Sequence, residues 1–314
     1  MAGHGSKKVI YAALAGNGLI AITKFIGASI TGSSAMLSEA IHSVVDTGNQ
    51  GLLLYGIKQS NKPKDERHPF GYGMEIYFWA FVVAILIFAV GSGISIYEGL
   101  HKLSNPSEIR SPHINYIILS LALIFEGVAW YIAYKEFGKV RGKQTIIEAV
   151  RHSKDPTVFT VLFEDTAAML GLIVAFVGVY AAAELGVEWA DAVASLFIGF
   201  ILGGTAILLA YETKGLLIGE AASPALVSDV RSIVDKRKSI LHVNELRTMH
   251  MGPYDILLAI SIDFKDDMTA VEVESRISEL EKEIKSKYPE IKHLFIEVQK
   301  KSDHDADAIA TPST

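Results

Sequence analysis

The chain contains no cysteine. That excludes disulfides, thiolate metal centres and cysteine nucleophiles, and leaves histidine and carboxylates as the side chains able to hold a metal ion. Charge is scarce over most of the length: long stretches before about residue 220 carry almost none, whereas the segment after it is dense in Glu, Lys and Asp. A basic patch is missing too, and a formal net charge of −6 offers no footing for nucleic acid. Nor does MAGHGSKK lead into a small-residue cleavage site followed by polar chain, so the first apolar stretch is expected to be a retained helix rather than a removed signal peptide.

What the chain does have is apolar sequence. At 50% hydrophobic residues and a mean hydropathy of +0.31, it reads as a membrane protein with a soluble segment behind it. About 20 apolar residues cross the hydrocarbon layer, and six segments meet that length: roughly 9–30, 34–57, 74–100, 113–135, 157–183 and 190–211. Lys7, Lys8, Lys58, Lys62, Lys64, Arg67, Lys135, Lys139, Arg141, Lys143, Arg151 and Lys154 fall on the N-terminal side, against Lys102 and Arg110 opposite. The excess of positive charge places both termini in the cytoplasm, and the plasma membrane is the expected host. Lys24 lies near the outer end of the first segment, where its long stem is expected to snorkel to the interface.

Thr31 to Gln50, TGSSAMLSEAIHSVVDTGNQ, carries His42 and Asp46 inside a membrane-spanning segment. Four residues apart on a helix, the two side chains leave from one face and can grip one ion. Ionisable groups at this depth are costly and point to function. Asp165, in VLFEDTAAMLG, is the expected partner. One imidazole and two carboxylates suit a divalent transition ion, with zinc favoured for tetrahedral geometry and manganese or iron open on the same ligands. Glu164 points about 100° away from Asp165 around the helix and joins the ligands only if that helix is rotated or distorted; a proton-carrying or helix-pairing role competes. Glu126, in LALIFEGVAWY, and Glu39, a turn before His42, are candidate proton relays, and Asn17 and Asn49 read as interhelical glue. In the loop KPKDERHPFGYGMEIYF, Asp65 and His68 offer two ligands with Tyr72 a poor third, so capping and turn roles compete with weak metal binding.

From Ser223 the pattern becomes helix (225–238), strand, strand, helix, strand. Ile256, Leu258, Ile260 and Ile262 alternate as a half-buried strand should. Met251-Gly252-Pro253-Tyr254 supplies the turn, Val271, Val273, Ile277, Leu280 and Ile284 are expected to face inward, and the last strand lies near His293 to Val298. This predicts a membrane domain over 1–219, an α+β domain over 220–301 and a disordered tail over 302–314.

TGSSAMLSEAIHSVVD, RHPFGYGMEIYFW and the segment beginning VNELRT together resemble the cation diffusion facilitator family, over about residues 8–300. FEDTAAMLG and the intramembrane HxxxD look most like the branch containing zinc transporter nine. The resemblance implies a six-helix membrane domain with a ferredoxin-like cytoplasmic domain, homodimerisation, metal/proton antiport, no cofactor, and four ligands from spans two and five. His42, Asp46 and Asp165 match three of these. Where the family commonly has His, this chain has Val161, which raises Glu164 or a water as the fourth ligand. The usual metal positions of the cytoplasmic domain fall on Asn244, Ser261, Glu274 and Glu297, a set that does not suit a dinuclear site.

The expected function is therefore export of a divalent cation, zinc first, from the cytoplasm in exchange for protons, by a homodimer in a lipid membrane. A membrane metallohydrolase lacks its HExxH helix in this sequence. A metal-binding scaffold without flux stays open because of Val161 and the ligand-poor cytoplasmic domain.

Overall fold

A computed structural model describes residues 4–105, 108–141, 145, 148–150 and 153–310. The chain divides into two compact units, one built from residues up to 61 and from 75 to 214, the other from 62–74 and from 215 onward. The loop 62–74, which the sequence reading leaves with the membrane domain, thus groups with the second unit.

The first unit consists of long helices: α1 (His4–Thr31), α2 (Ser34–Ser60), α3 (Glu75–Ser104), α4 (Pro112–Arg141), α5 (Pro156–Glu184) and α6 (Ala190–Ile218). The turn from α1 to α2 is made at Gly32, whose φ of +68° is a conformation that a side chain would resist. Ser33 then caps α2, its Oγ accepting from Met36 N at 3.1 Å. Asp155 does the same for α5, accepting from Thr157 N at 3.0 Å, with Pro156 as first helical residue. Among the described residues, four helices are long and apolar enough to cross a membrane, namely α3 to α6. α2 interrupts its apolar sequence with Glu39, His42, Asp46 and Asn49.

Burial in this unit is arranged for lipid rather than for water. Leu19, Ile22, Ile26 and Ile30 of α1 and Ile117, Leu121, Ile124, Val128 and Tyr131 of α4 recur every three or four residues on exposed faces. The polar residues Ser34, Ser38, Glu39, His42, Ser43 and Asn49 of α2 are buried instead. α2 is the inner helix, packed on α1, α3 and α5, while α4 packs on α1 and α5. Within α3 one turn, Ile87–Ser92, winds as a π-helix. It sits where α3 meets α6, with Gly91 against Leu202.

The second unit runs α7 (Pro224–Asp235), β1 (Ile240–Gly252), β2 (Asp255–Phe264), α8 (Ala270–Lys287), β3 (Ile291–Val298) and α9 (Lys301–Ala310). The sheet order is β1-β2-β3, antiparallel between β1 and β2 and parallel between β2 and β3. A parallel neighbour needs a crossover, and α8 provides it. Ile256, Leu258, Ile260 and Ile262 face the core with Leu226, Val230, Leu280 and Ile284, as the alternation predicts. Val271 does not: it stands 74% exposed in the first turn of α8, before the helix reaches the sheet. The tail expected to be disordered forms α9 as far as Ala310, tied down where Asp263 Oδ2 accepts from Lys301 N at 3.1 Å.

The loop 62–74 is ordered by its own polar groups. Asp65 Oδ1 accepts from the backbone N of Arg67 and His68 at 3.0 and 2.7 Å, and Tyr72 Oη donates to Asp65 Oδ2 at 2.7 Å. The bond from Tyr72 foremost, and then that from the His68 backbone, hold the Asp65 carboxyl below its usual value. Phe70 then meets the sheet surface edge-on at His293 and Phe295, with ring centroids 5.1 and 6.4 Å away.

Candidate functional site within the helical unit

On α2, Glu39, His42, Asp46 and Asn49 follow one another at three- and four-residue steps, so a single stripe carries all of them. His42 is 1% exposed and lies with Nδ1 3.4 Å from Asp46 Oδ1. The pair is close but not aligned as a hydrogen bond: Nδ1 and Nε2 of His42 and Oδ1 of Asp46 are all buried without a hydrogen-bond partner. Buried polar atoms are seldom left so, since each costs the hydration it has lost. Three in one place form a polar pocket suited to an electron-pair acceptor or a proton.

The facing helix α5 brings further acid. Glu164 is buried and accepts from Asn49 Nδ2 at 2.8 Å, while Asn49 Oδ1 has no partner. Asn49 thus joins two helices, in keeping with the role read from sequence, and Glu164 has a helix-pairing partner. Asp165, half-buried, and Glu164 both lie within electrostatic reach of Asp46, as does Glu126 on α4. His42 and Asp46 are therefore brought together, and Asp165, Glu164 and Glu126 act on Asp46 at longer range. Among the described residues, no three His, Asp or Glu side chains share one coordination shell. In the second unit Asp65 and His68 are half exposed, with Asp65 engaged in its turn. Asn244 donates to Ser261 Oγ at 3.3 Å and to Gln299 O at 2.8 Å.

Lys24 corrects the sequence reading. Rather than snorkelling, it is fully buried, and its Nζ donates to Glu39 Oε2 at 3.1 Å and to Ser43 Oγ at 2.8 Å. α1 lies along α2 with this side chain turned inward, so the stem leads to α2 and not to the interface. Glu39 Oε1 has no partner, and Gly171 of α5 leaves room for it, since a Cβ there would fall on that oxygen.

Sequence reasoning also passed over Asp191, at the start of α6. Its carboxylate is fully buried at the N-terminus of α2, accepting from Ser33 Oγ (2.5 Å), Ser34 N (2.7 Å), Ser34 Oγ (3.0 Å) and Ala35 N (3.4 Å). A helix N-terminus presents free N–H groups and positive dipole to such an anion. One turn on, Ser38 and Ser195 hydroxyls meet at 2.5 Å, and Ser195 donates to Ser95 O at 2.9 Å. α2 is thereby pinned along its first two turns, next to the stripe that carries His42 and Asp46. The available signal was an Asp opening an apolar helix.

An apolar helical unit with ionisable groups turned inward, followed by a small α/β unit, defines a polytopic membrane protein built around an interior polar site. The chain belongs to the cation efflux, or cation diffusion facilitator, family: residues 10–218 match the cation efflux transmembrane domain and residues 222–301 the cytoplasmic domain of cation efflux proteins. That family is one of transporters, not of enzymes.

Among its relatives is the human mitochondrial proton-coupled zinc antiporter SLC30A9, 30% identical over 94% of this chain and 59% of its own length. Metal tolerance protein C4 of Arabidopsis thaliana is 29% identical over 84% of this chain and 58% of its own length. The manganese efflux system protein MneP of Bacillus subtilis is 24% identical over 93% of this chain and 95% of its own length. The chain thus spans about three fifths of the length of the human and plant relatives.

Proposed function

We propose that this protein is a proton-coupled antiporter that exports a divalent transition-metal cation, zinc first, from the cytoplasm. The observation that carries the reading is the buried His42–Asp46 pair with three unpartnered polar atoms. Support comes from the acids around it and from relatives whose names specify zinc antiport and manganese efflux.

In this reading the ion is the substrate. His42 supplies a nitrogen ligand, Asp46 and Asp165 supply the charge that offsets dehydration, and Glu164 or a water completes the shell once α2 and α5 move closer. Metal binds the deprotonated forms, so loading releases protons and protonation from the far side ejects the ion. Glu126 is the proposed relay; Glu39 serves that role only through the oxygen that Lys24 leaves free. Alternating exposure of the site completes the cycle.

The proposal further takes α1 to α6 as six spans with both termini cytoplasmic, in the plasma membrane, and the second unit as a ferredoxin-like domain through which a homodimer forms. The test is uptake of zinc, manganese and iron into proteoliposomes with a pH dye inside. Metal entry with opposite proton movement is expected, abolished in Asp46→Ala. Metal binding with no flux would move the protein to the scaffold class, and faster manganese than zinc transport would change the substrate.

A further inference from the structure

Lys24 is a fully buried lysine on a lipid-facing helix. A charged ammonium at bilayer depth is costly, and long side chains usually escape by reaching the interface. This one turns inward, and both of its partners, Glu39 and Ser43, stand on α2 on either side of His42 in the chain. The pair it makes is incomplete: Glu39 keeps a second oxygen that is buried, unpartnered and housed by the missing side chain of Gly171. A buried ion pair contributes little to stability that apolar packing could not replace, so the fold itself gives little reason for a charge here. The site gives one. The ammonium charge reaches His42, Asp46 and Glu126 as well as Glu39.

We infer that the Lys24 ammonium is a tethered counter-cation, a positioning residue of the transport site that keeps metal affinity low enough for release. The inference rests on the proposed function, in that the ion is taken to bind at His42 and Asp46. A divalent ion arriving there meets a like charge one helix away. In a partly screened interior a like charge on the neighbouring helix lowers the affinity for a divalent ion, and removing it while Glu39 stays raises that affinity by about ten-fold or more. Conduction through any site needs binding weak enough to end, and Lys24 supplies that weakness without occupying a ligand position. While the site is empty, the same ammonium offsets part of the crowded negative charge.

The experiment is calorimetric zinc titration of the purified full-length protein in detergent at fixed pH, paired with KM and kcat for zinc uptake in proteoliposomes. Lys24→Met is expected to tighten zinc binding about ten-fold or more, with KM lowered and kcat lowered at saturating zinc. Lys24→Arg, which keeps the charge, should stay within about three-fold of wild type. If Lys24→Met does not fold with Glu39 left unpaired, Glu39→Gln carries the comparison: it leaves Lys24 uncompensated and should weaken zinc about ten-fold. Adding Lys24→Met to Glu39→Gln should then restore the lost affinity.

Unchanged or weaker zinc binding in folded Lys24→Met overturns the inference, and so does a double variant that fails to recover. His42→Ala separates the two levels. If wild type binds no zinc, or His42→Ala binds it as tightly, the site reading falls and takes the inference with it. If His42→Ala loses binding but the Lys24 variants do not shift it, the inference alone falls.

Discussion

Asp191 is held by four hydrogen bonds from three consecutive residues at the start of α2. If the carboxylate goes, the Ser33 hydroxyl and the N–H groups of Ser34 and Ala35 lose that acceptor, whereas Ser34 Oγ keeps the backbone O of Asp191 at 3.3 Å. Asp191→Ala is therefore expected to lower stability by about 1–3 kcal/mol for each donor left buried and unpaired, read as a fall in melting temperature of the detergent-solubilised protein; an unchanged melt would mean that the capping bonds contribute nothing. The residue also shows which single positions a sequence discloses. His42 and Asp46 were legible because a helix sets their spacing, and spacing is local. Asp191 and Ser34 are 157 residues apart, so no periodicity relates them. Lys24 was misread for a different reason: whether a lysine near a helix end snorkels or turns inward depends on the rotation of the helix about its axis, which composition does not determine.

At the level of elements, the helical and strand patterns carried most of the second unit because each element there has one wet face. The alternation in β2 needed no tertiary information. Val271 failed because the apolar period of α8 extends one turn beyond the sheet that covers it, and α9 was missed because its residues 301–306 are polar or small and largely exposed. In the first unit the period is weaker as a guide: with lipid outside, apolar residues line both faces, and only the polar row on α2 marks the interior.

The contact between α7 and the end of α8 yields a pH prediction. Asp229 accepts from Tyr288 Oη at 2.7 Å and pairs with Lys287 at 2.5 Å. Bonds from Lys287 and then Tyr288 hold Asp229 below its ordinary value, and the same bond pushes Tyr288 up to about 12. A depressed carboxyl stabilises the fold above the unfolded-state value of about 3.9 and loses that contribution as pH falls through the folded value. The tyrosine has the opposite sign, its contribution being present below about 10 and lost as pH rises towards 12. Melting curves should accordingly show Asp229→Asn flattening the acid limb below about pH 4 and the alkaline limb above about pH 10. Limbs unchanged from wild type would remove the pair as their cause.

For the molecule as a whole, the loop 62–74 matters more than its length suggests, because Phe70 rests against His293 and Phe295 of the second unit. Phe70→Ala should release that hold and speed trypsin cleavage at the exposed Lys62, Lys64 and Arg67, read by gel against wild type; equal cleavage rates would show that the aromatic contact does not restrain the loop. The sequence suggested a boundary at one place, near residue 219, because charge density changes there. Contacts divide the chain at three, since the loop leaves the first unit after residue 61 and returns at 75, and the chain departs again after 214. A boundary drawn from composition sees only the last of these, as a short polar loop looks the same whether or not it is folded onto something.

The three crossings make the second unit a ward of three tethers rather than a bead on one string. A fragment beginning near residue 220 would be cut from all three, and would lose the loop 62–74 with two of them. It would carry β3 with its aromatic surface bare where Phe70 belongs, so the isolated domain and the same residues in the intact chain are, at that surface, chemically different objects.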